Sequence, residues 1–257
     1  MEEIGRDIII GSHSIAEALS NAERDRKVLY GTDKGVSAFK SQYPAMKPIL
    51  NDIEVRTMSE AEFHSEAQKI FLSLGHEYYK IPSHIYLLAD SLPIFGPDWV
   101  FHLVKKGQGK FLALDQVTDV HNAGAILRTA AFFGIDAVVT GSKGIFGLTP
   151  SFFRIASGGV EHVKMVKCSG LSGFISKFQE LGGRCLGFKE DAPKISKQSV
   201  KEDQSLCLVF GAEDKGLSHA VERVLQEFVS LDATGKIKTL NVSVAAAVAM
   251  EKFLGGA

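Results

Sequence analysis

Long apolar stretches are missing from this sequence of 257 residues. No run reaches the roughly 18 to 20 apolar residues that a membrane-spanning helix requires. The first residues, Met1-Glu2-Glu3, lack the basic and apolar regions of a signal peptide. Hydrophobic residues nevertheless make up 45% of the chain, which is enough for a buried core. We therefore expect a globular, cytoplasmic protein without a membrane segment.

Cysteine is also scarce. Cys168, Cys185 and Cys207 are never spaced as Cys-x-x-Cys, and the eight histidines form no His-Glu-x-x-His motif. These absences argue against a disulfide framework and against a zinc site, so we predict no metal site. Cys185 and Cys207 lie in apolar runs and are predicted to be core residues.

A large net charge is missing as well, since the chain carries a formal charge of only -1. The distribution is uneven, however. Residues 1–90 contain 10 Lys and Arg against 14 Asp and Glu, whereas residues 91–257 contain 19 against 16. A phosphate-binding surface is therefore expected in the C-terminal part, because nucleic-acid binding depends on clustered positive charge.

Prolines and glycines are frequent at residues 91–108, which predicts a linker between two domains. In residues 1–90, short apolar runs alternate with helical patterns, so we predict a small α/β domain. In residues 109–257, β-branched strands alternate with helices. This order predicts a mostly parallel sheet covered on both faces, which binds ligands at the carboxyl ends of its strands.

Local patterns predict the helices and strands of both domains. Ser12 or Ser14 is expected to cap a first helix that ends near Leu19. Further helices are predicted at residues 36–42, from 59, at 123–133, at 171–181, from 218 and at 242–253. Strands are predicted at residues 8–10, 28–30, 53–56, 111–114, 137–140, 185–188, 206–210 and 228–231.

Three junctions between a strand and the following loop carry polar residues. In the first, residues 114–130, Asn122 is predicted to be a helix N-cap, and Gly124 permits close approach to the first helical turn. Arg128 follows one to two turns inside the helix, among small and apolar residues. It is either an outward surface residue or a buried anion clamp.

The second junction, residues 210–218, begins like a phosphate-binding loop, with Gly211 and Gly216 in the Gly-x-x-x-x-Gly spacing. Leu217-Ser218 stands where such a loop needs Lys followed by Ser or Thr, and the Gly-x-Gly-x-x-Gly dinucleotide motif is absent too. These features argue against an NTPase and a dinucleotide enzyme. Taken alone, the segment is also compatible with an ordinary glycine-rich turn that exposes Glu213.

The third junction, residues 231–247, leads through a glycine-containing loop into an alanine-rich helix. Thr239, Asn241 and Ser243 precede or begin this helix. They either contribute to a ligand site, or Asn241 or Ser243 simply caps the helix.

Taken in order, the three junctions resemble the SpoU/TrmH branch of the SPOUT methyltransferases, and the resemblance covers residues 109–257. Residues 10–19 are similar, more loosely, to the opening of the L30e-like domain that often precedes this catalytic domain. The matching text is Asn122-Ala-Gly-Ala-Ile-Leu-Arg-Thr-Ala130, Gly211-Ala-Glu213 with Gly216, Thr239-Leu-Asn-Val-Ser-Val-Ala245 and, between the first two, Arg154 to Val163.

The resemblance implies a C-terminal SPOUT domain with a trefoil knot, preceded by an L30e-like RNA-binding domain. It implies S-adenosylmethionine as cofactor and methylation of the ribose 2′-hydroxyl of RNA, with ribosomal RNA favoured over transfer RNA. It also implies a homodimer that completes its active site across a two-fold interface. The alternative is a non-catalytic RNA-binding or ribosome-assembly protein on the same scaffold. A small-molecule enzyme with a nucleotide cofactor is disfavoured by the missing motifs.

The resemblance further implies roles for individual residues. Arg128 is expected to bind an RNA phosphate and stabilise a developing alkoxide, because a guanidinium group stays protonated and is therefore a poor general base. The implied catalytic residues are Arg128, Asn122, Glu213 and Asn241; the implied cofactor-binding residues, through their backbone, are Gly211, Leu231 and Leu240; the implied substrate-binding residues are Thr239, Ser243 and Arg154.

Two positions depart from the family pattern. Val120-His121 stands where a proline-containing loop is more usual, which is expected to loosen the first loop. Asp232 replaces a proline that often follows the strand of the third junction, and this change is expected to alter cofactor affinity.

Overall fold

The computed structural model describes residues 5–142, 146–193, 204–237 and 239–254. The chain divides into two compact units. Unit 1 contains residues 1–93 together with 147–161, and unit 2 contains 94–146 together with 162–257. This division differs from the predicted one, because a segment from the middle of the chain belongs to the N-terminal unit.

Unit 1 is built on a mixed sheet of four strands. Its spatial order is β1-β4-β2-β3, with β4 antiparallel to both neighbours and β2 parallel to β3. The strands are β1 (Arg6–Ile10), β2 (Val28–Thr32), β3 (Glu54–Met58) and β4 (Ile85–Asp90). The helices are α1 (Ser12–Ser20), α2 (Asp33–Gln42), α3 (Lys47–Asp52), α4 (Glu60–Ser73) and α7 (Pro150–Ala156).

Helix α4 shows how the sequence specifies the core of unit 1. Ser59 and Glu62 form a capping box that starts the helix. Phe63, Ala67 and Phe71 follow at intervals of four residues, so they share one helix face, and all are buried. They belong to an apolar cluster with side chains of β1, β2 and β4.

Side-chain hydrogen bonds join the 147–161 segment to the rest of unit 1. Neither Ser12 nor Ser14 caps α1, because Gly11 is the N-cap and no side chain bonds there. The Ser14 hydroxyl instead donates to the Phe153 carbonyl oxygen of α7, at 2.8 Å. The buried Arg24 guanidinium donates to Glu161 at 2.9 to 3.0 Å.

Unit 2 contains a parallel sheet of six strands among the described residues, in the spatial order β10-β8-β9-β5-β6-β7. The predicted α/β class and parallel sheet are therefore confirmed. The strands are β5 (Lys110–Asp115), β6 (Ala137–Gly141), β7 (Lys164–Cys168), β8 (Arg184–Phe188), β9 (Leu206–Gly211) and β10 (Glu227–Val229). The helices are α5 (Pro97–Val104), α6 (Val120–Phe132), α8 (Leu171–Glu180), α9 (His219–Glu222) and α10 (Val242–Leu254).

Alternation along the strands buries both faces of this sheet. Phe111 of β5 belongs to an apolar cluster with side chains of α5, α8 and α9. Its neighbour Leu112 is equally buried and points to the opposite face. On that side, α10 packs against β9 and along α6. The cysteines Cys185 and Cys207 are buried, as predicted.

The predicted linker, residues 91–108, contains helix α5. Gly96 and Pro97 occupy its N-cap and first turn, so these residues start a helix. Val100 and Val104 are buried in the core of unit 2. Strands β4 and β7 and helices α3 and α7 were not predicted either, and the helix predicted from residue 218 spans only four residues.

Candidate active site

A cavity of about 520 Å³ lies at the carboxyl ends of β8, β9 and β10. Parallel sheets offer ligand sites at this edge because the loops that follow the strands converge there. Five of the predicted site residues line the cavity, namely Gly211, Glu213, Leu231, Thr239 and Leu240.

The glycine-rich turn after β9 folds tightly on itself. Ala212 and Gly216 exchange two backbone hydrogen bonds, of 3.1 and 2.8 Å. A β-carbon on Gly211 would lie 2.1 Å from the Gly216 carbonyl carbon, and Gly216 has a φ of +65°. Both positions therefore require glycine for this turn, which explains the spacing that resembles a phosphate-binding loop.

A residue that the sequence reasoning missed fixes the end of this turn. Asp115, the last residue of β5, is buried, and its carboxylate accepts a hydrogen bond of 2.6 Å from the Ser218 backbone N–H. Ser218 in turn caps α9 by accepting from the Val221 N–H. The available signal was a carboxylate at the end of a buried strand, where its desolvation demands a partner.

The three predicted junctions meet in one hydrogen-bonded cluster, which we call the Asn241 cluster: Asn122, Glu213, Asn241 and Ser243. The Asn241 side-chain amide donates to Asn122 Oδ1 at 2.9 Å and also to Glu213 Oε1. Its Oδ1 accepts from the Ser243 backbone N–H at 2.9 Å and from the Ser243 hydroxyl at 2.5 Å. Asn241 thus caps α10 and also joins the three junctions, whereas its part in a ligand site stays a prediction.

The prediction that Asn122 is an N-cap was wrong. Asp119 caps α6 and accepts from the Asn122 backbone N–H at 2.8 Å. Asn122 therefore lies inside the first turn, and its buried side chain is available to Asn241. An aspartate three residues earlier is an equally good capping residue, and sequence alone did not rank the two.

Arg128 is exposed on α6. It makes no hydrogen bond or ion pair within the part of the chain that the structure describes. Of the two alternatives for this residue, the structure supports the outward one. Arg154 is exposed on α7 of unit 1, and its role as a substrate-binding residue stays a prediction.

Negative charge predominates in the cavity. Among the described lining residues, six carry carboxylates and two are lysines. One of the lysines, Lys189, forms an ion pair of 2.6 Å with Glu222, and this hydrogen bond lowers the pKa of Glu222. Asp232 accepts from Lys252 of α10 at 3.0 Å. Such a lining disfavours phosphate groups and favours a cationic ligand.

Two aromatic side chains that the sequence reasoning missed also line the cavity. Phe188 ends β8 and Phe210 lies near the end of β9, and their rings stack with centroids 4.6 Å apart and an interplanar angle of 13°. Phe210 is buried, whereas Phe188 is partly exposed. In the sequence, both resemble ordinary core residues of apolar strands. Only their position at the strand end indicated another role.

Residues 5–142, 146–193, 204–237 and 239–254 contain no group of three His, Cys, Asp or Glu side chains placed to hold a metal ion. No helix in these ranges has the length and apolarity required to cross a membrane.

The SpoU rRNA methylase family model matches residues 109–251, which include all three junctions. The chain belongs to this family. The 23S rRNA (guanosine-2′-O-)-methyltransferase RlmB of Acinetobacter baylyi is 35% identical over 149 residues, covering 58% of this chain and 60% of that protein. The RlmB of Nitrosomonas europaea is 36% identical over 139 residues, covering 54% and 53%. The match thus spans little more than half the length of these curated relatives.

Two solved structures share the fold over nearly the whole chain. The SpoU methyltransferase AviRb of Streptomyces viridochromogenes aligns with a TM-score of 0.71 and 17% identity, over 95% of this chain and 86% of its own. An AdoMet-bound rRNA methyltransferase of Sinorhizobium meliloti aligns with a TM-score of 0.70 and 16% identity, over 96% and 85%.

Proposed function

We propose that this protein is an S-adenosylmethionine-dependent RNA 2′-O-ribose methyltransferase, with ribosomal RNA as substrate in preference to transfer RNA. The observation that carries the proposal is the Asn241 cluster, in which Asn122, Glu213 and Asn241 from three separate segments meet next to a cavity. Relatives named as 23S rRNA 2′-O-methyltransferases support both the reaction and the choice of RNA.

The cavity suits S-adenosylmethionine in size and charge. Its volume of about 520 Å³ lies within the usual range of small-molecule sites. Its acidic lining favours a sulfonium cation over a phosphorylated nucleotide. Backbone groups at Gly211, Leu231 and Leu240 would hold the cofactor, and the glycine turn leaves no side chain in the way.

The bound cofactor supplies an electrophilic methyl group. The ribose 2′-oxygen must lie in line with the sulfur–methyl bond that breaks, at about 3 to 3.5 Å from the methyl carbon, and its proton passes to solvent water. Asn122, Glu213 and Asn241 form a pre-organised polar surface that orients the target nucleotide. The Arg128 guanidinium binds a neighbouring RNA phosphate and stabilises the oxyanion, and it does not act as the base.

We propose that the protein acts as a homodimer. Phe132 of α6 is 83% exposed, and Val244 and Val248 of α10 are 47% and 43% exposed, on two helices that pack together. Arg128 precedes Phe132 by four residues, so both lie on one face of α6. If a second copy of the chain covered Phe132, Arg128 would lie at the edge of the interface between the two copies. This position would explain why Arg128 is exposed within one chain.

The dimer proposal is tested by Phe132→Glu. A buried, unpaired carboxylate disfavours association, so sedimentation analysis should find the variant monomeric where the unaltered protein is dimeric. Phe95→Leu, at a partly buried position that packs against the apolar core of unit 2, serves as the control and should remain dimeric. A monomeric unaltered protein at micromolar concentration would contradict the proposal.

Unit 1 is proposed to be an L30e-like RNA-binding domain, with Arg154 among its substrate contacts. The C-terminal segment of unit 2 is proposed to form the trefoil knot of the family. The motif at residues 10–19, which spans the end of β1 and most of α1, supports the first of these assignments.

Two measurements test the proposed function. Calorimetry with S-adenosylmethionine should detect binding, whereas no binding at millimolar cofactor would favour the non-catalytic RNA-binding alternative. Mapping 2′-O-methylation in total RNA, with and without the protein, should then reveal a nucleotide whose methylation depends on it.

A further inference from the structure

The aromatic wall of the cavity consists of Phe188 and Phe210. These residues follow Gly187 and Val209, which are paired in the parallel register of β8 and β9, so the two rings leave the sheet side by side. Phe253 of α10 packs its ring against Phe188 at 5.9 Å and 66°, yet Phe253 does not line the cavity. Phe188 is thus supported by two rings and keeps part of its own surface exposed.

We propose that Phe188 is the specificity-determining residue for the purine ring of the ligand, which stacks against it. This inference rests on the proposed function, since it assigns the adenine of the cofactor to that wall. A phenyl ring already fixed by two neighbours offers aromatic surface without losing further rotamer freedom on binding. A planar heteroaromatic ring gains dispersion and quadrupole attraction by adding to such a stack.

The acidic residues of the cavity do not provide this selectivity. Carboxylates favour cations in general, and they would accept a polyamine as readily as a sulfonium nucleoside. Stacking on Phe188 would add the requirement for an aromatic base. The competing explanation is that Phe188 only fills the space between Phe210 and Phe253.

Calorimetry with two ligands separates these explanations. S-adenosylhomocysteine contains adenine, ribose and an amino-acid moiety, and 5′-methylthioadenosine lacks the amino-acid moiety. Phe188→Ala is expected to weaken the binding of both ligands by the same factor, about tenfold or more. Phe188→Leu, which keeps an apolar side chain but removes the aromatic face, should show a smaller loss of the same kind.

Phe253→Leu is the matched control, because it disturbs the same ring cluster from outside the cavity. Phe253→Leu should lower the melting temperature as Phe188→Leu does. It should change the affinity for each ligand less than about threefold, which is less than the loss expected from removing the aromatic ring of Phe188.

Phe188→Trp should retain the affinity for both ligands. Combined with Trp99→Phe, which removes the chain's single tryptophan, it should show quenching of the new indole by adenine-containing ligands.

Three results would overturn the inference: unchanged affinities in Phe188→Ala, a loss for S-adenosylhomocysteine but not for 5′-methylthioadenosine, or an equal loss in Phe253→Leu. If the unaltered protein bound neither ligand, the proposed cofactor itself would be wrong. The two failures are therefore distinguishable.

Discussion

Unit 1 buries an arginine between two carboxylates, whereas no Lys or Arg is buried in the described part of unit 2. In unit 1, the Arg24 side chain is fully buried between Asp7 and Glu161, at 2.8 and 2.9 Å. Burial alone disfavours the charged form of Arg24, but the hydrogen bonds that it donates to Glu161 and Asp7, with the charges of these carboxylates, outweigh burial and raise the pKa of Arg24. In unit 2, the buried Asp115 and Asn122 both serve the site.

The difference separates charges that hold the fold from charges that can bind a substrate. The Arg24 guanidinium already pairs with two carboxylates and donates to a carbonyl oxygen. It therefore cannot also bind RNA phosphates. Exposed cations such as Arg128 remain available. Loss of an occupied cation should therefore affect stability, and loss of an available one should affect turnover.

The largest effect is expected from Arg24→Met, which leaves Asp7 and Glu161 buried without their partner. The free energy of unfolding should fall by about 3–5 kcal/mol, as for other broken buried ion pairs. Denaturant titration measures it. The control is Lys177→Met, which breaks the exposed pair with Glu180 in unit 2 and should cost less than about 1 kcal/mol. If both variants lost the same free energy of unfolding, the proposed difference between the two units would be wrong.

Arg128→Ala should leave stability almost unchanged and lower the single-turnover methylation rate by about 10²- to 10³-fold, in line with the loss of an oxyanion donor. Arg223→Ala, at another exposed arginine of unit 2, controls for the loss of positive charge. A near-full rate in Arg128→Lys would exclude a bidentate phosphate clamp, because an ammonium group cannot replace the two-pronged contact.

Asn241→Ala removes the cap of α10 and the hydrogen bonds to Asn122 and Glu213 together. The free energy of unfolding should fall by about 1–2 kcal/mol. Asn241→Asp retains the capping oxygen but sets a carboxylate against Glu213, so it should regain stability only at acidic pH. Identical stability of the two variants at pH 4 and pH 8 would argue against the cluster.

The smallest effect is expected from Asp232→Asn, since the ion pair with Lys252 is half exposed. A double-mutant cycle with Lys252→Met should give a coupling below about 1 kcal/mol at low salt and less at high salt. The affinity for S-adenosylhomocysteine should be measured alongside. A loss above about tenfold would show that this ion pair contributes to the proposed cofactor site.

Capping and burial patterns predicted most elements correctly where the deciding residues are close in sequence. The run from Ser59 contains its own cap and its own apolar face, and helix α4 begins one residue later. The patterns failed where the partner is distant. Residues 91–108 resemble a linker because Gly96 and Pro97 also start helices, and only the packing of Val100 and Val104 on the sheet distinguishes the two.

The candidate site shows the same division. The three polar junctions and their residue types could be read from the sequence, and the family match at residues 109–251 agrees with them. The roles of Asp115, Phe188 and Phe210 could not be read, because an aspartate or phenylalanine at a strand end acquires its function from what lies beside it.

The sequence by itself determined the parallel α/β class, the family and the three segments that carry the polar residues, because periodicity and local chemistry are encoded over short distances. Only the tertiary structure decided that residues 147–161 belong to the N-terminal unit, that Asp119 and not Asn122 caps α6, and that Arg128 faces outward. These outcomes depend on which distant groups satisfy each buried donor and acceptor, and burial makes every unsatisfied one costly.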